Sequence, residues 1–267
     1  MPTNNNMTAM AEHLTIIKVG GKVVEEPDTL ARLLDDFSRI EGHKLLVHGG
    51  GRSATKMAAR LGIETRMVDG RRITDDDMID VVTMVYGGLV NKTIVAALQA
   101  RGINALGVTG ADMNLLLSDK RVPNPIDYGW VGDVRCVDGN RFAQLISSGI
   151  VPVVAPLTHD GLGHILNTNA DTMAGETAMA CARHFDVSLV FCFEKEGVLL
   201  DENNPDSVVP RLDPDLYARL KADGIVAGGM IPKLDNSFAT LRGGVKEVVI
   251  TKSDNLVDLT LGTHVML

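Results

Sequence analysis

Short apolar runs alternate with amphipathic stretches along most of the chain. The runs rich in Val, Ile and Leu predict six strands, over residues 14–19, 44–48, 103–108, 150–155, 187–193 and 245–251. Unbroken apolar runs are typical of parallel strands that are covered on both faces. Because helical patterns separate these strands, the sequence predicts an α/β fold with a mainly parallel central sheet.

Between the strands, apolar residues recur every three or four positions, which is the spacing of an amphipathic helix. Two early helices are predicted from the apolar faces Leu30, Leu33, Leu34 and Phe37, and Ala54, Met57, Ala58 and Leu61. A longer helix is predicted over residues 75–101, opened by a capping box of Thr74 and Asp77. Its Gly87–Gly88 pair predicts a kink, and its apolar stripe is Met78, Val82, Val85, Leu89, Thr93 and Ala97.

Two segments depart from this alternation. Residues 115–138 are rich in Pro and Gly, which predicts short antiparallel strands and turns. Residues 156–168 contain THDGLGHIL, which predicts a hairpin with Asp160 and Gly161 in its turn.

Composition excludes several classes of protein. The 267 residues carry a formal net charge of −8, which argues against a broad nucleic-acid surface. The longest apolar stretches, such as residues 150–157, are too short to span a bilayer, and residues 1–13 lack the regions of a signal peptide. The three cysteines and seven histidines lack metal-ligand spacing, so no metal site is expected. We expect a reducing, cytoplasmic compartment.

The strongest local motif is HGGG, between a predicted buried strand and a predicted helix. A tight turn needs one glycine, whereas Gly49, Gly50 and Gly51 expose consecutive N–H groups at a helix N-terminus, which favours an anion site. Gly49, Gly51 and Ala54 also fit the dinucleotide fingerprint, with Asp69 as its acidic residue. That second signal is weak, because the turn follows the second predicted strand rather than the first.

Two lysines lie beside glycine pairs. In TIIKVGGKV, Lys18 is followed by Gly20 and Gly21, and in GGMIPK, Gly229 and Met230 precede Lys233. The helix dipole disfavours a cation near a helix N-terminus, where Lys233 is predicted to lie, so a lysine there indicates anion binding. The alternatives are an ordinary turn at Lys18 and a surface lysine at Lys233. The stretch GGLVNKT comes near to a P-loop, but asparagine stands where that pattern requires glycine.

Polar residues recur at two further places. Asn167, Asn169 and Asp171 are spaced two apart before an Ala-rich helix. In an extended segment they point the same way, so both a binding site and ordinary helix caps are open interpretations. Arg71 and Arg72 precede the long helix, and a guanidinium there suits a carboxylate.

These motifs follow one another in the order KVGG, HGGG, GRRIT, NTNAD and GGMIPK. In this combination the chain resembles the amino acid kinase family from about residue 15 to the C-terminal LGTHVML. The resemblance implies a three-layer αβα sandwich around the parallel sheet. GRRITD with NKT, and LNTNAD with GGMIPK, resemble the members that use ATP to phosphorylate the γ-carboxylate of an N-acyl-L-glutamate in arginine biosynthesis.

The resemblance implies a role for each motif residue. Lys18 and Lys233 would flank the transferred phosphoryl group, with Asp171 orienting them. The residues that would bind the N-acyl-L-glutamate are Gly49, Gly50, Gly51, Arg72, Asn167 and Asn169. The residues that would bind ATP, with Mg²⁺, are Gly20, Gly21, Glu194, Gly197, Gly229 and Met230. Glu194 departs from the aspartate that the family often has at its position.

The resemblance also implies an organisation. Residues 1–170 would form an acyl-glutamate-binding and dimerisation lobe, and residues 171–267 an ATP-binding lobe, in a homodimer joined through the long helix. The Pro- and Trp-containing stretch 122–132 indicates an altered acyl pocket, so succinyl is the alternative to acetyl. Carbamate, aspartate or glutamate kinase activity is the wider alternative. Residues 1–13 are too short and polar for the N-terminal helix of arginine-inhibited members, so arginine inhibition is not expected.

Overall fold

The computed structural model describes residues 11–68 and 70–267. Most of the stretch 1–13, predicted to lack an amphipathic helix, lies outside these residues. Asp69, the acidic residue of the alternative dinucleotide fingerprint, also lies outside them. Both expectations therefore stay predictions.

The described residues form two larger sheets and a two-stranded ribbon. The strands are β1 (His13–Val19), β2 (His43–His48), β3 (Met67–Val68), β4 (Arg71–Arg72), β5 (Ala105–Val108), β6 (Leu116–Lys120), β7 (Gly132–Val137), β8 (Val151–Val154), β9 (Leu157–His159), β10 (Ile165–Asn167), β11 (Asp186–Phe193), β12 (Arg211–Leu212), β13 (Glu247–Lys252) and β14 (Thr263–Val265). The helices are α1 (Gly21–Glu25), α2 (Pro27–Arg39), α3 (Gly51–Arg60), α4 (Asp76–Val82), α5 (Asn91–Gln99), α6 (Gly139–Ser147), α7 (Ala170–Cys181), α8 (Pro214–Ala222) and α9 (Met230–Arg242).

The central sheet has eight strands in the order β12-β14-β13-β11-β1-β2-β8-β5. Its six longer strands, from β13 to β5, run parallel to one another. They are the six strands that the apolar runs predict, so the predicted parallel sheet is confirmed. The short strand β14 pairs antiparallel to β13, and β12 pairs with β14 at the edge.

Helices cover both faces of this sheet, which confirms the three-layer sandwich. On one face, side chains of α6 to α9 pack on the sheet in a single buried cluster. On the other face, α1 to α5 pack on it in a second cluster. Burial on both faces explains why the central strands are apolar without alternation. The two clusters hold the sheet rigidly beneath the loops at the carboxyl ends of its strands.

The long helix, Asp76–Gln99, is continuous but changes its winding. Between α4 and α5 lies a π-helical segment, Thr83–Val90, which contains the glycine pair where a kink is predicted. The wider turns shift the phase of the buried face, so the predicted stripe is wrong at Leu89 and Thr93, whereas Ala97 is partly buried. The side chains of Leu89 and Thr93 are exposed, and the buried positions are Tyr86, Val90, Asn91, Ile94 and Leu98.

The predicted capping box of the long helix is also wrong. The N-cap is Asp75, whose carboxylate accepts a hydrogen bond from the Met78 N–H at 3.0 Å. The Thr74 hydroxyl instead donates to the Arg72 carbonyl at 3.2 Å. The backbone of Thr74 is hydrogen-bonded to the loop that carries Trp130, so the helix begins one residue later than the capping box predicts.

The second sheet contains four strands in the order β10-β9-β6-β7. β6 and β7 pair antiparallel across the Pro-rich segment, as predicted. β9 and β10 form the predicted hairpin, with Asp160 and Gly161 in the loop between His159 and Ile165. This sheet places Asn167 at the end of β10, directly before α7.

Within the described residues, one helix is long and apolar enough to cross a bilayer by length and composition, the long helix. Length and composition alone are weak evidence for a membrane span, so the expectation stays a prediction. A core helix meets the same criterion, and the inward residues Met78, Val82, Ile94 and Leu98 lie in the second buried cluster.

Candidate active site

Two lysines and one aspartate from three elements meet at the carboxyl edge of the central sheet. Lys18 comes from β1, Asp171 from the first turn of α7, and Lys233 from the first turns of α9. Lys18 Nζ lies 2.6 Å from Asp171 Oδ1, and Lys233 Nζ donates to Asp171 Oδ2 at 2.9 Å. The sequence separates these residues widely, and the fold brings their charged groups to one point.

This triad carries a net positive charge in a poorly solvated place. Burial alone would raise the pKa of the Asp171 carboxyl, but the ammonium groups of Lys18 and Lys233 outweigh it and hold that pKa well below its usual range. Burial and the charge of Lys18 lower the pKa of Lys233, against the attraction of Asp171. Two cations sharing one carboxylate leave a charge that an anionic ligand can neutralise.

The glycine motifs meet next to each other. The Gly20 N–H donates to the Cys192 carbonyl at 2.9 Å and the Gly49 N–H to the Val19 carbonyl at 3.1 Å, so these two N–H groups serve the sheet. Gly21 opens α1 and Gly51 opens α3, with Gly50 as its N-cap. A Cβ on Gly21 would lie only 3.8 Å from Gly50 N and 3.9 Å from Gly51 N. Helix-start N–H groups lack intrahelical partners, so this junction can receive an anion.

A cavity of about 240 Å³ opens beside these glycines. Its lining includes the predicted substrate residues Gly49, Gly50, Gly51, Arg72, Asn167 and Asn169. Ala170 and Thr172, the neighbours of Asp171 in the chain, line it as well. The cavity therefore adjoins the lysine–aspartate triad.

Arg72 is held firmly against this cavity. Its side chain is buried, with 7% exposed, and one guanidinium nitrogen donates to the Gly51 carbonyl at 2.7 Å and to the Thr55 hydroxyl at 2.9 Å. Arg71 is exposed and also lines the cavity. A fixed, partly desolvated guanidinium suits a carboxylate ligand.

The two asparagines differ in their contacts. Asn167 Nδ2 donates to the buried Thr74 hydroxyl at 3.0 Å, and both asparagines line the cavity. Asn169 is the N-cap of α7, and its Oδ1 accepts from the N–H groups of Asp171 and Thr172 at 2.9 and 3.0 Å. Of the two open interpretations, capping describes Asn169 and leaves Asn167 facing the cavity.

The predicted nucleotide residues lie around the ends of β11 and α9. Glu194 is exposed directly after β11, and Gly229 is the N-cap of α9, followed by Met230. Gly197 is buried, and a Cβ there would lie 2.7 Å from the Thr263 hydroxyl, so close packing on β14 already requires glycine. Of these residues, Glu194 is close enough for its charge to act on Lys233, and Gly229 and Met230 begin the helix that carries Lys233.

Sequence reasoning missed several residues that shape the cavity. Tyr86 lines it from the π-helical segment, and burial raises the pKa of its hydroxyl against the charge of Arg72. A Cβ on Gly50 would lie 2.8 Å from the Tyr86 ring, so this ring fixes glycine at position 50. Arg121, paired with Asp133, lines the cavity as well. Only the altered phase of the long helix could have pointed to Tyr86.

Comparisons with known proteins agree with these motifs. The chain matches the Amino acid kinase family over residues 13–252. It is 64% identical to an acetylglutamate kinase of Bacteroides thetaiotaomicron over 249 residues, covering 93% of this chain and 97% of that relative. It is 52% identical to an acetylglutamate kinase of Cytophaga hutchinsonii, covering 96% of this chain and 99% of that relative.

Solved structures share the fold at lower identity. An N-acetylglutamate synthase from Neisseria gonorrhoeae, complexed with coenzyme A and N-acetyl-glutamate, aligns with a TM-score of 0.80 at 21% identity, over 95% of this chain and 59% of that chain. A carbamate kinase from Giardia lamblia bound to AMP-PNP aligns with a TM-score of 0.66 at 15% identity, over 97% and 99%. At these identities the likeness concerns the fold alone.

Proposed function

Since the chain belongs to the amino acid kinase family, we propose that it transfers the γ-phosphoryl group of ATP to the γ-carboxylate of N-acetyl-L-glutamate. The products are an acyl phosphate and ADP, as in a step of arginine biosynthesis. The relatives named acetylglutamate kinase, which match nearly the whole chain, support this assignment.

The observation that carries the proposal is the convergence of Lys18 and Lys233 on Asp171 next to the cavity. In the reaction, a γ-carboxylate oxygen attacks the γ-phosphorus while the bond to the ADP oxygen breaks. The carboxylate is already deprotonated, so no general base is needed. Anion approaches anion, and the main requirements are positioning and charge neutralisation. The two ammonium groups supply that neutralisation, and Asp171 keeps them together.

The cavity supports the binding of the amino-acid substrate. Arg72 and Asn167 offer donors to its carboxylates from one wall. The N–H groups of Gly50 and Gly51 lie close to Gly21, and Gly51 also lies close to the Arg72 guanidinium. With the α-carboxylate on Arg72, the γ-carboxylate is directed toward the lysines.

ATP is proposed to bind on the opposite side of the triad, near Gly21, Glu194, Gly229 and Met230. Among residues 11–68 and 70–267, no group of three or more His, Cys, Asp or Glu side chains is arranged to hold a metal ion. Magnesium commonly binds through substrate phosphates with few protein ligands, so Mg²⁺ is proposed to arrive as the ATP complex. It would neutralise phosphate charge during transfer.

The central sheet supports the proposed two lobes. The β1–β11 pair divides the sheet into two halves. The half that begins with β1 contains only strands from residues 1–170, and the half that begins with β11 contains only strands from residues 171–267. The lobes therefore meet at the β1–β11 pair, below Lys18. We propose that the first lobe holds the acylated glutamate and the second holds ATP.

A homodimer through the long helix is proposed as well. On its outward face Met84 is 54% exposed and Leu89 is 55% exposed. Gly88, which lies between them, and Ala96, which follows them, are exposed as well. An exposed stripe of apolar and small residues suits a self-complementary helix contact. The three free cysteines suit the reducing cytoplasm in which we place the enzyme.

The test is ADP release with acetylglutamate, succinylglutamate and glutamate side by side, with ATP and Mg²⁺ present. We expect turnover with acetylglutamate. Succinylglutamate is the alternative that Arg121 favours, because it lines the cavity and could face a third carboxylate. Preferential turnover of succinylglutamate would reassign the acyl group, and no ADP release with either acylated substrate would refute the proposed function.

A further inference from the structure

We propose that His48 and Asn91 form a buried, uncharged pair that fixes the Gly49–Gly50 peptide and thereby aims the Gly50 N–H into the active site. The inference rests on the proposed function, since it assigns positioning residues for that reaction. His48 is the first residue of the HGGG motif, and Asn91 is the asparagine that excludes a P-loop in GGLVNKT.

His48 bonds on both sides of its ring. It is the last residue of β2 and has no exposed surface. Its Nδ1 lies 2.7 Å from the Gly49 carbonyl oxygen, and its Nε2 lies 3.1 Å from Asn91 Nδ2. The same Asn91 nitrogen donates to the Val153 carbonyl at 2.9 Å. Strands β2 and β8 are thus joined to the long helix at this point.

These contacts define the tautomer of His48. A carbonyl oxygen only accepts, so Nδ1 must carry the proton. An amide nitrogen only donates, so Nε2 must be the unprotonated acceptor. The ring is therefore neutral and Nδ1-protonated. Asn91 Oδ1 in turn accepts from Lys92 Nζ at 3.1 Å, which fixes the orientation of the amide.

The hydrogen bond at Nδ1 sets the direction of the next donor. The Gly49–Gly50 peptide is trans, so its C=O and N–H point in opposite directions. His48 holds the carbonyl toward the core, and the N–H of Gly50 consequently points toward the cavity that Gly50 lines. Position 50 cannot carry a side chain that would fix its backbone, because the Tyr86 ring occupies the space that a Cβ would need.

The surroundings are shaped to admit the Asn91 amide. Asn91 is the first residue after the π-helical segment, whose wider turns bring it inward, and only 1% of it is exposed. Gly107 on β5 lies against it, and a Cβ there would be 1.9 Å from Asn91 Oδ1. Lys92 is the charged group that faces the pair, and its Nζ also donates to the Gly107 carbonyl at 2.9 Å. Burial, with the charge of Lys92, lowers the pKa of His48 to about 4 against the Gly49 hydrogen bond.

The test compares two substitutions that replace different ring nitrogens. In His48→Asn the amide stands near the Nδ1 position and can still donate to Gly49, whereas in His48→Gln it stands near Nε2 and leaves Gly49 unheld. We expect kcat to fall by about 10- to 100-fold in His48→Gln, less than the loss of an oxyanion donor. We expect His48→Asn to stay within about 3-fold, and KM for acetylglutamate to change little in both.

Asn91→Leu is expected to lower kcat as His48→Gln does, with Asn104→Leu, at an exposed asparagine, as the matched control. Thermal unfolding of each variant separates positioning from stability. If His48→Asn and His48→Gln lose kcat equally, and in proportion to their loss of thermal stability, the inference is refuted. A purely structural residue would behave in that way.

Nitrogen-15 NMR of the wild-type protein tests the tautomer independently of activity. We expect the His48 ring to show a protonated Nδ1 and an unprotonated Nε2 at every pH from 5.5 to 8. Protonation at Nε2, or at both nitrogens, would overturn the inference even in an active kinase. If the protein phosphorylates no acylated glutamate, the proposed function fails while the tautomer result still decides the inference about the loop.

Discussion

Acid should weaken the folded protein through His48. Burial and the charge of Lys92 lower the pKa of this histidine from 6.5 to about 4. Above pH 6.5 the ring is neutral in both the folded and the unfolded chain. Below it, the unfolded chain binds a proton that the folded chain rejects, so the free energy of unfolding falls as the pH falls. The loss is complete once the pH passes the folded pKa.

The magnitude follows from the two pKa values. Each pH unit between them costs about 1.4 kcal/mol. The contribution lost is therefore about 2 kcal/mol between pH 7.5 and pH 5, and about 3 kcal/mol in the acid limit. This is a large fraction of the stability of an ordinary domain.

The assay is guanidinium unfolding at pH 7.5, 6.5, 5.5 and 5.0, at one protein concentration, for the wild type and His48→Asn. Carboxylates that titrate in the same range affect both proteins equally. The difference between the two proteins should therefore shrink by about 2 kcal/mol from pH 7.5 to pH 5. His184→Asn, at an exposed histidine, is the matched control. A difference that stays constant with pH would show that His48 is not held neutral by burial.

The other predictions concern the proposed roles of charged and exposed groups. Lys18→Ala and Lys233→Ala should each lower kcat by about 10²- to 10³-fold, because one charge contact to the transition state is removed. Far-UV circular dichroism should stay unchanged. Near-normal turnover in both variants would contradict the proposed catalytic role of the two lysines. Arg72→Ala should raise KM for the acylated glutamate and leave KM for ATP nearly unchanged, and an equal rise for both substrates would exclude a carboxylate clamp. Leu89→Glu should convert the proposed dimer to a monomer in light scattering, whereas the exposed control Leu162→Glu should not.

The sequence predicted the central sheet well because its strands are buried on both faces. A run such as residues 187–193 is apolar without alternation, and that pattern has few other interpretations. The short strands β12 and β14 were not predicted, since two or three residues carry too little pattern. The long helix was predicted by periodicity, but its predicted buried face was wrong at Leu89 and Thr93, because π-helical winding is not encoded in a simple period.

The candidate site also contains residues that the sequence predicts and residues that it does not. Lys18, Asp171, Lys233 and Arg72 were predicted because each stands in a motif, and the structure brings the first three together and the fourth to the adjoining cavity. Tyr86 could not be predicted, because its role depends on how a helix packs against a loop far away in the chain. The same holds for the pair behind the HGGG motif, whose contacts cross between separate elements.

The position of β1 has a consequence for biosynthesis of the chain. Among the described strands β1 is made well before β11, yet it lies in the middle of the sheet and pairs through all its residues with β11, residues 186–192. Until β11 emerges, the nascent chain presents one side of β1 as an open strand edge, which other strands can join. A fragment of residues 1–170 would keep that edge permanently. We therefore expect the fragment to aggregate, whereas coexpression with residues 171–267 restores a soluble protein.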